Sequence, residues 1–241
     1  MKTVAIILAG GVGNRTGQDI PKQFLNVNDR PILIYTLEVF EKNPIIDAIE
    51  VVCRDGWQDV LRAYAKQFNI KKLKYIITGG ESAQDSIRKG IFNLEKELDE
   101  DDIVVIHDGV RPIIEEEILS DVVAVCKRCG NGVTSMPYNE QIFVVNKDDE
   151  KTTKKYIPRN IIRRVSTPQA YKFGEVNDAY HYAIEHDINM GEGTYVNTLM
   201  VDLGKTLHLA AGSDKNIKIT TRDDIEIFKA YVEADKDNWL K

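Results

Sequence analysis

The chain has 241 residues, with 32 lysines and arginines against 38 aspartates and glutamates, for a formal net charge of −6. That balance excludes broad electrostatic binding to DNA or RNA, and no run approaches the roughly 18 apolar residues that span a membrane. With 43% hydrophobic and 29% charged residues, the length suits one large globular domain or two small ones. Val4–Ala9 is too short for a signal peptide, and glycines interrupt it. Three cysteines (Cys53, Cys126 and Cys129) suit a reducing cytoplasm better than a disulfide framework.

Apolar runs and helical patterns alternate along the chain. Val4–Leu8 reads as a buried strand, Pro31–Lys42 as a helix, Ala48–Cys53 as a strand and Gln58–Gln67 as a helix. Lys74–Thr78, Ser82–Leu98, Ile103–His107 and Glu115–Lys127 continue the rhythm as strand, helix, strand and helix. Strands separated by helices imply crossover units and a largely parallel sheet. The rhythm breaks from about Asn139 to Arg159, where Phe143-Val144-Val145, a charged tip and Tyr156-Ile157-Pro158 predict a projecting β-hairpin. Such an exposed, aromatic-bearing pair reads either as a dimer arm or as a surface loop. Asp214–Thr220 alternates like a strand, which sets Asn216 and Lys218 on one face. Asp223–Trp239 is amphipathic and predicts a closing helix.

The first strand runs straight into Ala9-Gly10-Gly11-Val12-Gly13-Asn14-Arg15, with Pro21-Lys22-Gln23-Phe24 close behind. Glycines let a backbone approach a ligand closely, and successive N–H groups form an anion-binding concavity. Arg15 and Lys22 then supply charge beside the phosphates, one as a planar fork and one as a point charge. A tight turn is the plain alternative. A dinucleotide fingerprint read from Gly11 and Gly13 needs a third glycine where the chain has Thr16, and no Gly-Lys-Ser/Thr follows for a P-loop. The loop therefore predicts a nucleoside triphosphate site of another kind.

Four further segments carry chemistry. His107-Asp108-Gly109-Val110-Arg111-Pro112 follows a buried strand, at the carboxyl end where α/β sheets bind ligands. Asp108 there suits Mg²⁺, or else a turn cap; Arg111 suits an anion, or else an ion pair; His107 reads as packed. Gly79-Gly80-Glu81-Ser82-Ala83-Gln84-Asp85-Ser86 reads either as a base or ribose site or as a helix start capped by Ser82. Arg159, Arg163 and Arg164, before Thr167-Pro168-Gln169, form either a phosphate site or a solvated basic face. Lys218 is an inward cation beside phosphates or an edge-strand lysine. Cys126-Lys127-Arg128-Cys129 falls at the wrong end of its helix for a redox pair, and no second pair completes a zinc site.

Together, and in this order and spacing, these segments resemble the cytidylyltransferases that activate polyol phosphates, over essentially the whole chain. The resemblance implies a Rossmann-like α/β nucleotidyltransferase fold in one domain spanning 1–241, its largely parallel sheet flanked by helices. It also implies a homodimer joined through a protruding β-arm at about 139–159. It implies CTP and Mg²⁺, with Arg15, Lys22 and Lys218 stabilising the transition state and Asp108 holding the metal. Ala9, Gly10, Gly11, Gly13, Gly80, Ser86 and Gly109 would then line the CTP site. Arg111, Gln141, Arg159, Thr167 and Thr194 would meet the acceptor phosphate and polyol. The methylerythritol phosphate enzymes read Thr-Asp-Glu-Ala where this chain has Thr194-Tyr195-Val196-Asn197, and threonine in place of Gln141. Both departures fall on the acceptor side, so a pentitol phosphate such as ribitol 5-phosphate stands beside 2-C-methyl-D-erythritol 4-phosphate. Two other readings remain, an NAD(P)-binding oxidoreductase and a catalytically silent nucleotide-binding protein. The missing third glycine counts against the first, and Lys22, Asp108 and Lys218 against the second.

Overall fold

The computed structural model describes residues 1–11, 20–188 and 195–236. Along β1 (Thr3–Ala9), Val4 and Ile6 pack into one apolar cluster, while Ala5, Ile7 and Ala9 pack into another. A strand apolar on both faces needs helices on both. β4 (Ala48–Cys53) and β6 (Ile103–Asp108) flank β1 in parallel register, and β5 (Leu73–Thr78) adds in parallel beyond β4. On the other side β10 (Arg163–Lys172) runs antiparallel to both β6 and β7 (Asn131–Pro137). β11 (Leu209–Ala211) closes that edge, parallel to β7. The sheet order is β11-β7-β10-β6-β1-β4-β5.

Helices α1 (Ile32–Lys42), α2 (Gln58–Gln67) and α4 (Glu116–Cys129) cover one face with Leu37, Phe40, Leu61 and Val122. Helices α3 (Ala83–Asn93), α5 (Phe173–Glu185) and α6 (Val196–Asp202) cover the other with Ile87, Ile91, Tyr180 and Met200. α7 (Arg222–Lys236) closes a smaller cluster, in which Phe228 meets Tyr35 edge-on, ring centroids 5.1 Å apart. A short ribbon of β2 (Asn26–Val27) and β3 (Arg30–Pro31) leads into α1. α4 carries Glu116 and Glu117 in its first turn and Lys127 and Arg128 in its last, which suits the helix dipole at both ends. Gly130 stops it at φ +91°.

The expected hairpin is present: β8 (Ile142–Asn146) and β9 (Asp149–Ile157) pair antiparallel as a separate sheet. Cys126 is buried at the last turn of α4 while Cys129 is exposed, and burial pushes the Cys126 thiol up to about 12, which leaves it inert.

Two expectations need correction. The helix expected over Ser82–Leu98 ends at Asn93, and tighter Leu94-to-Ile91 and Glu95-to-Phe92 bonds follow. Leu94 and Leu98 still turn inward, and this is the periodicity that made the sequence read as one longer helix. The strand expected over Asp214–Thr220 does not form. The strand it meets, β10, is already paired on both sides by β7 and β6, so it has no ladder to join; Ile219 N–H reaches the Val110 carbonyl at 2.9 Å. Trp239, at the end of the expected closing helix, lies outside the described residues.

One buried charge site stands out in the sheet. Glu50 on β4 is fully buried beneath α3; Asn93 Nδ2 donates to its Oε1 at 2.8 Å, and its Oε2 has no partner among the described residues. Burial raises its pKa to about 8, from 4.5. Because the folded value is the higher, Glu50 favours folding fully below pH 4.5, and that contribution is lost as pH rises through 8. Glu50→Gln is therefore expected to stabilise the protein by roughly 3 kcal/mol at pH 7, about 1.4 kcal/mol per pH unit above 4.5. Thermal melts at pH 5 and 8 check this; an equal gain at both would overturn it.

Candidate active site

Parallel strands leave their carboxyl-end loops on one edge of the sheet, and three of these loops carry most of the predicted residues. The loops after β1 and β5 touch there: a Cβ on Gly79 would lie 3.3 Å from Gly10 Cα and 3.3 Å from Ser86 Oγ. A side chain there would push these neighbours apart by a few tenths of an ångström, and glycine avoids that. Ser86 Oγ, in the first turn and a half of α3, accepts the Gly80 N–H at 2.9 Å and so ties the two loops to one helix. Ser82 caps that helix by accepting the Asp85 N–H at 3.0 Å. Ala9, Gly10, Gly80 and Ser86 are thus brought together, while Gly11 follows at the loop's edge. Gly13 and Arg15 lie outside the described residues.

Gln23, which the sequence offered only as part of a motif, holds the glycine loop from beneath. Its Nε2 donates to the Ala9 carbonyl at 2.7 Å and the Gly11 carbonyl at 3.1 Å, and the side chain is buried. A short 3-10 turn over Lys22–Phe24 presents it, and Phe24 stacks on Trp57 with centroids 4.6 Å apart. Lys22 on the same turn is half-buried. Burial alone would raise the Asp224 pKa, but the N–H groups of Thr221 and Thr220 and the charge of Lys22 bring it below the ordinary value. Lys22 therefore stands on the side of the molecule where the 213–220 segment enters α7.

At the end of β6, Asp108 joins a closed circuit. Its Oδ2 accepts Arg111 Nε at 2.9 Å and its Oδ1 faces Lys218 Nζ at 3.2 Å. Its backbone N–H donates to Thr167 Oγ1 at 3.2 Å. Burial would push its pKa up; the charges of Lys218 and Arg111 outweigh that and hold the carboxyl below its usual range. Gly109 donates to the Leu8 carbonyl at 2.9 Å, and its own carbonyl accepts the Thr36 hydroxyl at 3.0 Å, which locks the loop to β1 and α1.

His107 is packed, as expected, and its ring stands 5.4 Å from Phe40. Its Nε2 lies 3.0 Å from the Arg111 carbonyl, and burial lowers its pKa to about 4, so it is neutral. Thr167 precedes a cis peptide bond to Pro168. Gln141 and Arg159 are exposed at the root of the hairpin, where Arg159 donates to the Asn139 carbonyl at 3.2 Å. Thr194 lies outside the described residues. A cleft of about 780 Å³ opens elsewhere, between α5, α6 and the Glu100–Asp101 turn, and among the described residues none of the predicted site residues lines it.

A protein-family profile for IspD, 2-C-methyl-D-erythritol 4-phosphate cytidylyltransferase, matches residues 3–234. The chain belongs to this family. A ribitol-5-phosphate cytidylyltransferase of Lacticaseibacillus paracasei is 58% identical over 228 residues, covering 95% of this chain and 97% of that protein. A 2-C-methyl-D-erythritol 4-phosphate cytidylyltransferase of Syntrophotalea carbinolica is 32% identical over 238 residues, covering 98% and 99%. The solved 4-diphosphocytidyl-2C-methyl-D-erythritol synthase of Anaerococcus prevotii matches with a TM-score of 0.80 at 23% identity, over 96% of each chain. That last likeness bears on the fold, which is the Rossmann-like α/β arrangement expected. Membership in a cytidylyltransferase family sets aside the oxidoreductase reading.

Because Gln23 is the buried donor to two loop carbonyls, Gln23→Leu keeps its bulk and removes those bonds. We expect a loss of about 1–3 kcal/mol in a urea titration. Unchanged stability would show that the loop does not depend on Gln23.

Proposed function

We propose that the chain transfers the cytidylyl group of CTP to ribitol 5-phosphate and releases pyrophosphate. The observation that carries the acceptor is the 58% identity to a ribitol-5-phosphate cytidylyltransferase over nearly the full length of both proteins. The family profile favours 2-C-methyl-D-erythritol 4-phosphate as the second reading. In either case a phosphate oxygen of the acceptor bonds to the α-phosphorus of CTP. The bond from that phosphorus to the bridging oxygen breaks, and the electron pair leaves with pyrophosphate. The acceptor phosphate, with its second pKa near 6, is already ionised, so no general base is needed.

In this reading Ala9, Gly10, Gly11, Gly13, Gly80, Ser86 and Gly109 line the CTP site. Arg15, Lys22 and Lys218 offset charge that builds on the phosphates in the transition state. Arg111, Gln141, Arg159, Thr167 and Thr194 receive the acceptor. The touching Gly10 and Gly79 loops support the first set, and the Asp108–Lys218–Arg111 circuit supports the placement of cations beside it.

Among the described residues, no three His, Cys, Asp or Glu side chains gather to hold a metal. Mg²⁺ commonly takes one or two carboxylates and completes its shell with phosphate oxygens and water, so Asp108 alone fits it as the protein's ligand. Bound there, the ion would supply positive charge to the triphosphate.

The chain acts in this reading as one domain and pairs with a second copy through the arm at 139–159. Phe143, Val145 and Tyr156 are 55%, 56% and 71% exposed on that hairpin, and clustered apolar exposure marks association surfaces. No described helix is long and apolar enough to cross a membrane. The free thiols at Cys53, Cys126 and Cys129 suit a cytoplasmic site of action.

Pyrophosphate release with CTP and Mg²⁺ across ribitol 5-phosphate, 2-C-methyl-D-erythritol 4-phosphate and glycerol phosphates tests the acceptor. We expect release with ribitol 5-phosphate; release with the methylerythritol phosphate alone would support the second reading. Deleting Lys147–Thr152 is expected to shift the mass in light scattering from dimer toward monomer, and an unchanged mass would remove the arm from the interface.

A further inference from the structure

We infer that Asn216 is a positioning residue, which sets the Lys218 ammonium against the Asp108 carboxylate at the end of β6. This rests on the reading above, in which Lys218 acts on the transferred phosphate. The 213–220 segment belongs to no strand, so no ladder fixes the direction in which Lys218 points. Two of its neighbours pair with other elements, Asp214 with Arg164 and Lys215 with Glu115. All four side chains are at least one-third exposed, and such pairs hold geometry weakly.

Asn216 differs from them in being buried and bound on both sides. Its Nδ2 donates to the Thr167 carbonyl at 2.6 Å, and its own carbonyl accepts Arg111 Nη1 at 2.7 Å. The same Arg111 bonds Asp108 through Nε, and the same Thr167 accepts the Asp108 N–H through its hydroxyl. Four residues from β6 and its loop, from β10 and from the 213–220 segment therefore close a ring (Asp108, Arg111, Asn216, Thr167), and Lys218, two residues on from Asn216, reaches the Asp108 carboxylate.

A carboxamide brings no charge to this ring. What it adds is direction, because its donor and the adjacent backbone acceptor fix the segment against β10 and the loop after β6 at once. Asn216 Oδ1 has no partner among the described residues, and a buried unpaired acceptor costs stability. The residue thus gives the site geometry that a residue chosen for stability alone would not need.

The test is steady-state pyrophosphate release by Asn216→Ala, Lys218→Ala and the double variant. Asn216→Ala is expected to lower kcat by about 10- to 100-fold, on the scale of a misplaced catalytic group. In the Lys218→Ala background the same change should cost less than about twofold, since the group it aims is gone. A loss that multiplies in the double variant, or full activity in the single one, overturns the inference. Asn216→Asp, isosteric but without a donor for Thr167, should behave like Asn216→Ala and serves if that variant does not fold.

Reductive ¹³C-methylation gives a readout without turnover. The Lys218 signal, assigned by its loss in Lys218→Ala, should move in both Asn216 variants, and an unmoved signal overturns the inference. If the unaltered protein releases no pyrophosphate with any acceptor, the proposed function fails while this lysine signal still decides the role of Asn216.

Discussion

Asp108 sits at the end of β6, largely withdrawn from water, and keeps its negative charge because Lys218 and Arg111 stand against its two oxygens. Burial by itself would drive the carboxyl toward its neutral form. The cations come from different parts of the chain, Arg111 from three residues away and Lys218 from 110 residues away. Holding that carboxylate therefore requires the 213–220 segment to be brought back across the sheet. Removing the carboxylate would leave two cations together without it, so the triad constrains the β6 loop and the 213–220 segment together.

The sheet makes that meeting possible. β1, β4, β5 and β6 run parallel, so the loops that follow them emerge on one edge. The β1 and β5 loops come into close contact, and β6 and the loop after it add a carboxylate and an arginine. β10 crosses antiparallel beside β6 and carries Thr167 to the Asp108 N–H. Charged and polar side chains from sequence-distant segments thus converge on one edge of the sheet. That convergence suits phosphoryl transfer, where positioning and charge stabilisation carry most of the work.

The elements that could be read from the sequence were those with a strong period. Val4–Leu8 and Ile103–Ile106 are apolar at every position because both faces are covered, and Gln58–Gln67 keeps a clean polar face. β7, β10, α5 and α6 had no such signal. β10 mixes two arginines, a serine, a threonine and a proline with its apolar residues, and its register slips between Val165 and Gln169. Asp214–Thr220 alternated like a strand, yet strand formation depends on a free ladder edge beside it, which alternation does not report. Gln23 gave no local signal either: its partners are backbone carbonyls of a loop 12 to 14 residues away.

The sequence by itself determined the α/β class and the glycine-rich run after β1, and it offered the Ser82 cap of α3 as one of two readings, because each depends on residues near one another in the chain. Family resemblance added the type of reaction, since ordered motifs over the whole length carry that information where single residues do not. Only the tertiary structure decided that Lys218 and Arg111 share Asp108, that Gln23 holds the glycine loop and that Asn216 ties its segment to β10 and the loop after β6. Those are contacts across many residues of chain, and their geometry is set by how helices and sheet pack, which no local pattern encodes.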